Sequence, residues 1–459
     1  MRFGITPESR PGTRRPDRDD APSGPRSSRV AVPLLAVAVL CVSAPASAQL
    51  LTGWAQMPAA TFADGPTSGQ FADPNPYGVH VPPYAGAQPV QGFSGVLALP
   101  NKDAFLFLVD NGFGAQANSA DALLRAYALR IDWRSAGGGP GTVAPIDLRT
   151  GAERPSFDAG TRLQLNDTQR RLSVPIQADY AHYYDEQARP PVDPAIRAGR
   201  WLTGADFDLE SFRRDREGNY WFGDEFGPYL VKTNAQGTVL RAEIPLPGVF
   251  APQHRDVVAG RATANLPASG GFEGMAIDRS GTRLYTLLER SVARDPDRTL
   301  RIDEFDIPTE AFTGRRFLYE LDPRGTHIGD MVAVDDQRFL VLERNAGTAT
   351  SPATDPAPFK KVYLVDFGHV ADGGRVRKLE LVDLMNLADP HDLDGDGRHV
   401  FTFPYVTIEN VLILDARTLL VVNDNNFPYG GGRAAAPDRT EFLRIRLPVS
   451  LDLREGGRP

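Results

Sequence analysis

Short apolar runs separated by turn residues dominate the sequence after residue 49. The runs are rich in aromatic and β-branched residues, and no long amphipathic helix pattern occurs between them. The clearest runs occupy residues 105–109, 220–222, 284–288, 339–342, 362–365, 419–422 and 442–445. Many short strands with turns between them predict an all-β protein, built as a sandwich, a barrel or a propeller.

An internal repeat narrows the choice among these architectures. Three segments begin at an acidic residue, pass through a strand and a turn, and reach a second apolar run eleven positions later. They begin at Glu210, Glu273 and Glu409. The segment that begins at Ser94 has the same spacing, and the one that begins at Asp330 is slightly shorter. About five such units favour a β-propeller, for which we expect about six blades and long surface loops.

The second strand of each unit ends in polar or acidic residues. In an antiparallel hairpin the start of the first strand lies beside the end of the second. We therefore expect four sets of neighbours, which are Glu210 with Asp224 or Glu225, Glu273 with Glu289, Glu409 with Asp424, and Asp330 with Glu343. In a propeller these ends would converge at the mouth of the central channel. In a sandwich they would be solvated hairpin ends, which is the alternative interpretation.

Converging carboxylates would need a cation or protons. Two unit charges 4 Å apart repel by about 4 kcal/mol at an effective dielectric constant of 20. Carboxylate and amide oxygens suit Ca²⁺ and, as a second choice, Mg²⁺. The candidate metal ligands are Asp110, Asn111, Glu210, Asp224, Glu289, Glu343, Glu409, Asn423 and Asp424.

Four residues are candidates for catalysis. Glu225 or Glu273 could act as a carboxylate base toward water. Arg290 and Arg344 could hold an anionic substrate through their guanidinium groups. Each arginine directly follows an acidic residue, so a structural ion pair with a neighbouring strand is an equally good interpretation.

Two further features are weaker candidates. Residues 392–397, with the sequence D-L-D-G-D-G, match the first half of an EF-hand loop, but Phe403 stands where the bidentate Glu is required. The segment is a half-site for Ca²⁺ or a simple Asp/Gly turn, and we favour the turn. His254 is the one histidine worth testing as an acid or base, although a solvated loop histidine is the simpler interpretation.

The N-terminal segment has the anatomy of a secretory signal peptide. Arg26 and Arg29 precede an apolar run at residues 30–42, and the small-residue cleavage motif A-S-A ends at Ala48. The run is shorter than the roughly 20 residues that span a bilayer. We expect residues 1–48 to be a disordered extension plus leader, residues 49–459 to form one domain, and the protein to be periplasmic or extracellular.

Charge and cysteine content restrict the possible partners. The whole chain has formal charge −8 and the leader carries seven Arg against four acidic residues, so the mature part is near −11. This charge argues against nucleic acids and anionic membranes. The single cysteine, Cys41, lies in the leader, so the mature part has no disulfide, thiolate nucleophile or zinc–cysteine site. We expect a monomer with no membrane span once the leader is removed.

The chain resembles the phytase-like family, often described as having "esterase-like activity of phytase". The shared motifs are Q-G-F-S-G at 91–95, V-D-N-G-F-G-A-Q-A-N-S-A-D at 109–121, G-A-D-F-D-L-E-S at 204–211, W-F-G-D-E-F-G-P-Y at 221–229, G-F-E-G-M-A at 271–276, L-E-R-N at 342–345, T-I-E at 407–409 and V-N-D-N-N-F-P at 422–428, followed by Arg433, Asp438 and Glu441. They occur in the family's order along nearly the whole mature chain.

The resemblance implies a β-propeller and a hydrolase of phosphoric esters that is helped by bound Ca²⁺. The scarcity of basic residues favours a small anionic ester over a polyanion such as phytate. Two other functions stay open. One is a non-enzymatic propeller that binds a ligand or partner and uses calcium structurally. The other is a metal-dependent lactonase or esterase, which rests on fold analogy alone.

Overall fold

The computed structural model describes residues 49–180, 191–353 and 355–453. Nearly every regular element in these ranges is a β-strand, as the apolar runs predict, and all seven runs fall within strands. The predicted leader with Cys41 lies outside the described residues. None of the described helices has the length and apolarity that a membrane span requires.

Five antiparallel sheets, called blades 1 to 5, contain most of the strands. The chain begins with β1 (Leu50–Met57) and the hairpin of β2 (Phe62–Asp64) and β3 (Ala87–Pro89). Blade 1 contains β4 (Phe93–Ala98), β5 (Ala104–Val109), β6 (Arg125–Asp132) and β7 (Thr142–Pro145), and β8 (Arg162–Gln164) also pairs with β6. Blade 2 contains β9 (Leu209–Arg214), β10 (Tyr220–Asp224), β11 (Tyr229–Thr233) and β12 (Ile244–Pro245).

The remaining blades follow in chain order. Blade 3 contains β13 (Phe272–Ile277), β14 (Arg283–Leu288), β15 (Thr299–Asp306) and β16 (Ala311–Glu320). Blade 4 contains β17 (His327–Ala333), β18 (Arg338–Arg344), β19 (Lys360–Asp366) and β20 (Arg377–Asp383). Two short strands, β21 (Leu387–Ala388) and β22 (Val400–Phe401), precede β23 (Ile408–Asp415), β24 (Thr418–Asn423) and β25 (Thr440–Arg446) of blade 5.

Helices are few and short. The α-helices are α1 (Pro194–Gly199) and α2 (Arg255–Val258), and 3₁₀ turns occur at Gln116–Asn118, Ala159–Thr161 and Gln177–Asp179. The segment 137–176 contains β7, β8 and one of these turns.

The first strands of the blades form a closed ring. In order β4, β9, β13, β17 and β23 each neighbour the next, and β23 returns to β4. The fold is therefore a β-propeller of five blades, and the expected count of about six is wrong. Blade 5 takes its outer strand from the N-terminal part of the chain, since β1 pairs antiparallel with β25. The ring is thus closed by strands from both ends of the described chain.

The core lies between the blades. Five of the apolar clusters lie at the blade-to-blade contacts, one at each. Successive residues in the second strand of a blade belong to different clusters. In blade 3, Leu284 packs toward blade 2, whereas Tyr285 packs toward blade 4. Because both faces of every blade are covered, the strands read as continuous apolar runs and not as alternating ones.

Every inner strand carries a one-residue β-bulge near its start. In each hairpin one residue of the first strand has no partner in the register of the second. These residues are Ser94, Glu210, Glu273, Gly329 and Glu409. A bulge re-aims the side chain of the extra residue. The repeat seen in the sequence is therefore a repeat of bulges, and blade 4 has glycine at that position.

Gly329 is required by close packing between blades 4 and 5. A Cβ at this position would overlap the carbonyl oxygen of Ile408, which is backbone and cannot rotate away. We expect Gly329→Ala to lower the free energy of unfolding by about 1–3 kcal/mol, the usual cost of overpacking. Gly137→Ala is the control, because its Cβ would meet only Ser135 Oγ at 3.8 Å. Chemical denaturation checks this, and equal stability of the two variants would contradict it.

Candidate metal centre

Carboxylates from three blades meet at the centre of the ring. Glu210, Glu273 and Glu409 occupy bulges of β9, β13 and β23, and each offers an oxygen within 4.8 Å of the other two. A second group shares Glu210 and adds Asp208 and Glu225, again with oxygens within 4.8 Å of one another. All five side chains are buried. We call these five residues the acidic cluster.

Blade 4 contributes a positively charged side chain to the centre of the ring. Its bulged residue, Gly329, has no side chain, and Arg344 extends to the centre from the end of β18. Nη2 of Arg344 lies 2.9 Å from Oε1 of Glu409, 3.3 Å from Oε1 of Glu289 and 3.7 Å from Oε1 of Glu273. Arg344 therefore compensates the side of the cluster that faces blades 3 and 5.

The opposite side of the cluster lacks such a partner. Among the residues that the structure describes, no Lys, Arg or His nitrogen lies within 4.0 Å of the carboxylates of Asp208, Glu210 or Glu225. Burial raises the pKa of Asp208, and hydrogen bonding with Glu210 and Asn111 lowers it. The carboxylates on this side are therefore buried without an internal counter-ion.

Burial and mutual repulsion raise the pKa values of the cluster. Burial is the largest cause at Glu210, Glu225 and Glu273, whose pKa values all lie well above the ordinary range. The charge of Asp208 adds at Glu210, and that of Glu409 adds at Glu273. The cluster must therefore hold protons or a cation.

Three carboxylate oxygens of the cluster are left without donors. Asp208 Oδ1, Glu225 Oε1 and Glu273 Oε1 are buried and have no hydrogen-bond partner in the described parts of the chain. Oxygen ligands lie about 2.3–2.6 Å from Ca²⁺, so two ligands of one ion can be separated by up to about 5 Å. The all-oxygen donors of Asp208, Glu210 and Glu225 fit that requirement.

Three aspartates at strand ends form turns next to the cluster. Asp110 accepts from the backbone N–H of Gly112, Asp224 accepts from those of Asp208 and Gly227, and Asp424 accepts from that of Asn426. Their carboxylates are structural caps that also add negative charge. Burial raises the pKa of Asp224 and of Asp424 to about 8.

The hairpin rule found most neighbours. Glu210 and Glu225 lie together as expected. In addition to burial, the charge of Glu289 raises the pKa of Glu273, and that of Glu409 raises the pKa of Asp424, so the members of each pair lie close together. Asn111 lies beside Asp208, but its Oδ1 accepts from the N–H of Gly114.

The expected placement of Glu343 is wrong. It precedes Arg344 within β18, so the two side chains point to opposite faces of the strand. Glu343 accepts from Tyr319 Oη at 2.5 Å and from Lys378 Nζ at 2.6 Å, away from the cluster. Its expected neighbour Asp330 pairs instead with Arg213 at 3.0 Å, because the bulge at Gly329 shifts the register.

Two other candidates are also placed differently from their expected roles. The Asn423 amide is used within blade 5: its Oδ1 accepts from the N–H of Glu441, and its Nδ2 donates to the carbonyl of Arg439. Arg290 lies at the rim, 41% exposed, with Nε 3.3 Å from Oε2 of Glu289. Arg344 forms structural ion pairs with Glu289 and Glu409, as the alternative interpretation of this residue expected.

Two residues of this region, Asp208 and Ser94, were not among the predicted site residues. Asp208 stands two positions before Glu210, a spacing that puts side chains on one face of an extended chain, and this was the available signal. Ser94 occupies the bulge of blade 1, and its Oγ donates to Oε2 of Glu409 at 3.0 Å. The repeat spacing had already aligned Ser94 with the acids.

The two weaker candidates have local roles. Asp392, Asp394 and Asp396 offer oxygens within 4.8 Å of one another, but all three accept from N–H groups of their own loop. This agrees with a turn. His254 is buried and not solvated, and its Nδ1 accepts from the N–H of Asp256 as the N-cap of α2.

Comparison with known proteins identifies relatives of the chain. A family model described as "Phytase-like: Esterase-like activity of phytase" matches residues 88–427. A protein of the fungus Arthroderma benhamiae, named "Uncharacterized secreted protein", is 30% identical over 180 residues, which cover 34% of this chain and 35% of that protein. The match thus spans about a third of the length of that relative.

Several solved structures are similar to the chain at low sequence identity. The major allergen Mala s 1 of Malassezia sympodialis has a TM-score of 0.35 and 11% identity, over 81% of this chain and 82% of the allergen. A luciferin-regenerating enzyme has a TM-score of 0.32 and 11% identity, over 87% of this chain and 93% of that one.

The raised pKa values predict how stability depends on pH without a cation. Glu289, with a pKa near 7, and Asp224 and Asp424, with values near 8, ionise more easily when unfolded. Unfolded carboxyl groups titrate near pH 4, so stability should be greatest below that value and fall as pH rises to about 8. In chelator, Tm should drop by several degrees between pH 5 and pH 8.5.

A divalent cation bound at the cluster would stabilise its ionised form, so added calcium should then remove most of this dependence. Differential scanning calorimetry at each pH, with chelator or with millimolar CaCl₂, makes the comparison. A Tm that rises with pH in chelator would contradict the assigned cause.

Proposed function

The chain belongs to the phytase-like family, described as having esterase-like activity of phytase, and we propose that it is an exported, calcium-dependent hydrolase of small phosphate esters. The observation that carries the proposal is the set of buried carboxylate oxygens without donors, Asp208 Oδ1, Glu225 Oε1 and Glu273 Oε1. The signal-peptide pattern and the secreted relative support export.

Asp208, Glu210 and Glu225 would hold the cation, since Arg344 occupies the other side of the cluster. A bound divalent cation would polarise a phosphoryl oxygen and help a water molecule to ionise. Buried carboxylates without an arginine partner can satisfy such an ion without breaking an existing ion pair. Mg²⁺ is the second choice, because it demands stricter octahedral geometry.

Glu225 and Glu273 are the residues best suited to accept a proton from the attacking water. Each has one buried oxygen without a hydrogen-bond donor. The raised pKa of each, caused first by burial, brings it toward the range in which a carboxylate is an effective base near neutral pH. The Glu273 carboxylate is the more constrained of the two, because Arg344 lies 3.7 Å from its Oε1.

Arg290 and Arg344 would have different tasks. Arg290 is partly exposed at the rim and can turn its guanidinium toward an anionic ester. Arg344 is only 7% exposed and is held by Glu409 and Glu289, so it positions carboxylates and does not contact substrate. A single accessible arginine suits a small phosphate ester better than a polyanion.

A substrate panel tests the proposal. Purified protein is assayed against phosphomonoesters, phosphodiesters, carboxylic esters and lactones, with metal analysis of the same sample. We expect phosphate release that depends on Ca²⁺ and disappears in chelator. Stabilisation by calcium without any turnover would support the non-enzymatic propeller, turnover of lactones alone would support the lactonase, and full phosphatase activity in chelator would overturn the proposal.

The variants Glu225→Gln and Glu273→Gln test which of the two carboxylates acts as the base. Loss of a general base costs about 10²–10⁴ in rate, so we expect kcat to fall by that factor in one variant. Glu304→Gln is the control, because Glu304 is also buried but lies in β15 near Arg283 and Arg315. Unchanged kcat in both cluster variants would remove these residues from the mechanism.

A further inference from the structure

A second cavity lies at the other end of the inner strands. The acidic cluster is built from their first residues, whereas the last residues surround a cavity of about 610 Å³. All five blades line it. The apolar wall contains Val96, Leu97, Ile277, Val332, Leu412 and Ile413. Cavities of about 300–1,000 Å³ with apolar walls are typical of small-molecule sites.

The side of this cavity nearest the acidic cluster is lined by an ion pair whose two charges compensate each other. Arg213 lines the cavity, and its Nη2 donates to Oδ1 of Asp330 at 3.0 Å. Oδ2 of Asp330 accepts from the N–H of Val411, so the pair also joins blades 2, 4 and 5. This pair contributes no net charge to the cavity.

The acidic residues at the cavity rim are engaged in their own hairpin turns. Asp215 accepts from the N–H of Asn219 and from Nε1 of Trp221. Asp278 accepts from the N–H groups of Thr282 and Arg283. In the same way, Asp335 accepts from the N–H and the Nε of Arg338. Hydrogen bonds from nearby protein donors therefore already stabilise these three carboxylates.

Two arginines at the rim, Arg214 and Arg216, keep unused donors. Within the described ranges, the side chains of Arg214 and Arg216 form no ion pair or hydrogen bond, and both residues are exposed. The Arg216 stem crosses from the blade 2 hairpin to Gly281 in the blade 3 hairpin, where any larger residue would collide with it. The rim therefore presents guanidinium donors above an apolar interior.

We propose that this cavity binds a small amphipathic anion, with its hydrocarbon body against the apolar wall and its carboxylate at Arg214 and Arg216. The site is distinct from the acidic cluster, which would repel such a ligand. It does not depend on the hydrolytic activity proposed above.

Isothermal titration calorimetry with decanoate, decanol and decylamine on the purified protein tests the proposal. The three probes share one hydrocarbon chain and differ in the charge of the head group. We expect saturable binding of decanoate, at least five-fold tighter than that of decanol or decylamine, and weaker in high salt. Absence of saturable decanoate binding, or equal affinity for decylamine, would overturn the proposal.

Two sets of variants locate the binding. The double variant Arg214→Glu/Arg216→Glu should weaken decanoate at least five-fold, whereas Arg149→Glu, an exposed arginine outside the cavity, should leave it unchanged. Ala98→Trp places a large side chain at an exposed lining position and should abolish binding without disturbing the core. Unaltered decanoate binding in both the charge-reversal and the Ala98→Trp protein would place the ligand elsewhere.

Discussion

Repulsion among buried carboxylates is the constraint on which this propeller's centre depends. Five inner strands meet around the channel, and the bulges of three of them direct Glu210, Glu273 and Glu409 to one point. Such proximity is unfavourable unless a positive charge or protons are present. Blade 4 supplies the positive charge by giving up a side chain at Gly329 and extending Arg344 into the centre.

The channel is organised in layers along the inner strands. The acidic cluster forms the first layer. The second contains polar cross-links between blades, such as Arg213 with Asp330 and the Asn410 side chain with the carbonyl of Phe93. The third layer is the apolar cavity. The layers follow one another along the same five inner strands. Repetition of one hairpin thus gives the channel an acidic end and, opposite to it, an apolar end with arginines at its rim.

The sequence predicted the parts of this arrangement that are local to a hairpin. Apolar runs located the strands, and the spacing of eleven residues located the bulged acids of blades 2, 3 and 5. Each of the five repeat units corresponds to one blade, so the expected count of about six exceeded what the repeat supported. The pairing of β1 with β25 spans nearly the whole chain, and no local pattern records it. Glu343 was misplaced because the choice between two adjacent residues depends on strand alternation, which a one-residue bulge resets.

The asymmetry of the ring indicates where a cation would act. Arg344 contacts Glu409, Glu289 and Glu273, and it therefore divides the centre into a compensated side and an uncompensated side. A divalent cation on the compensated side would have to displace a buried guanidinium, whereas one near Asp208 and Glu225 would replace only protons. Blade 4, with glycine at its bulge and Arg344 in the centre, thus favours a cation on the blade 2 side of the channel, beside the two unpartnered oxygens of these residues.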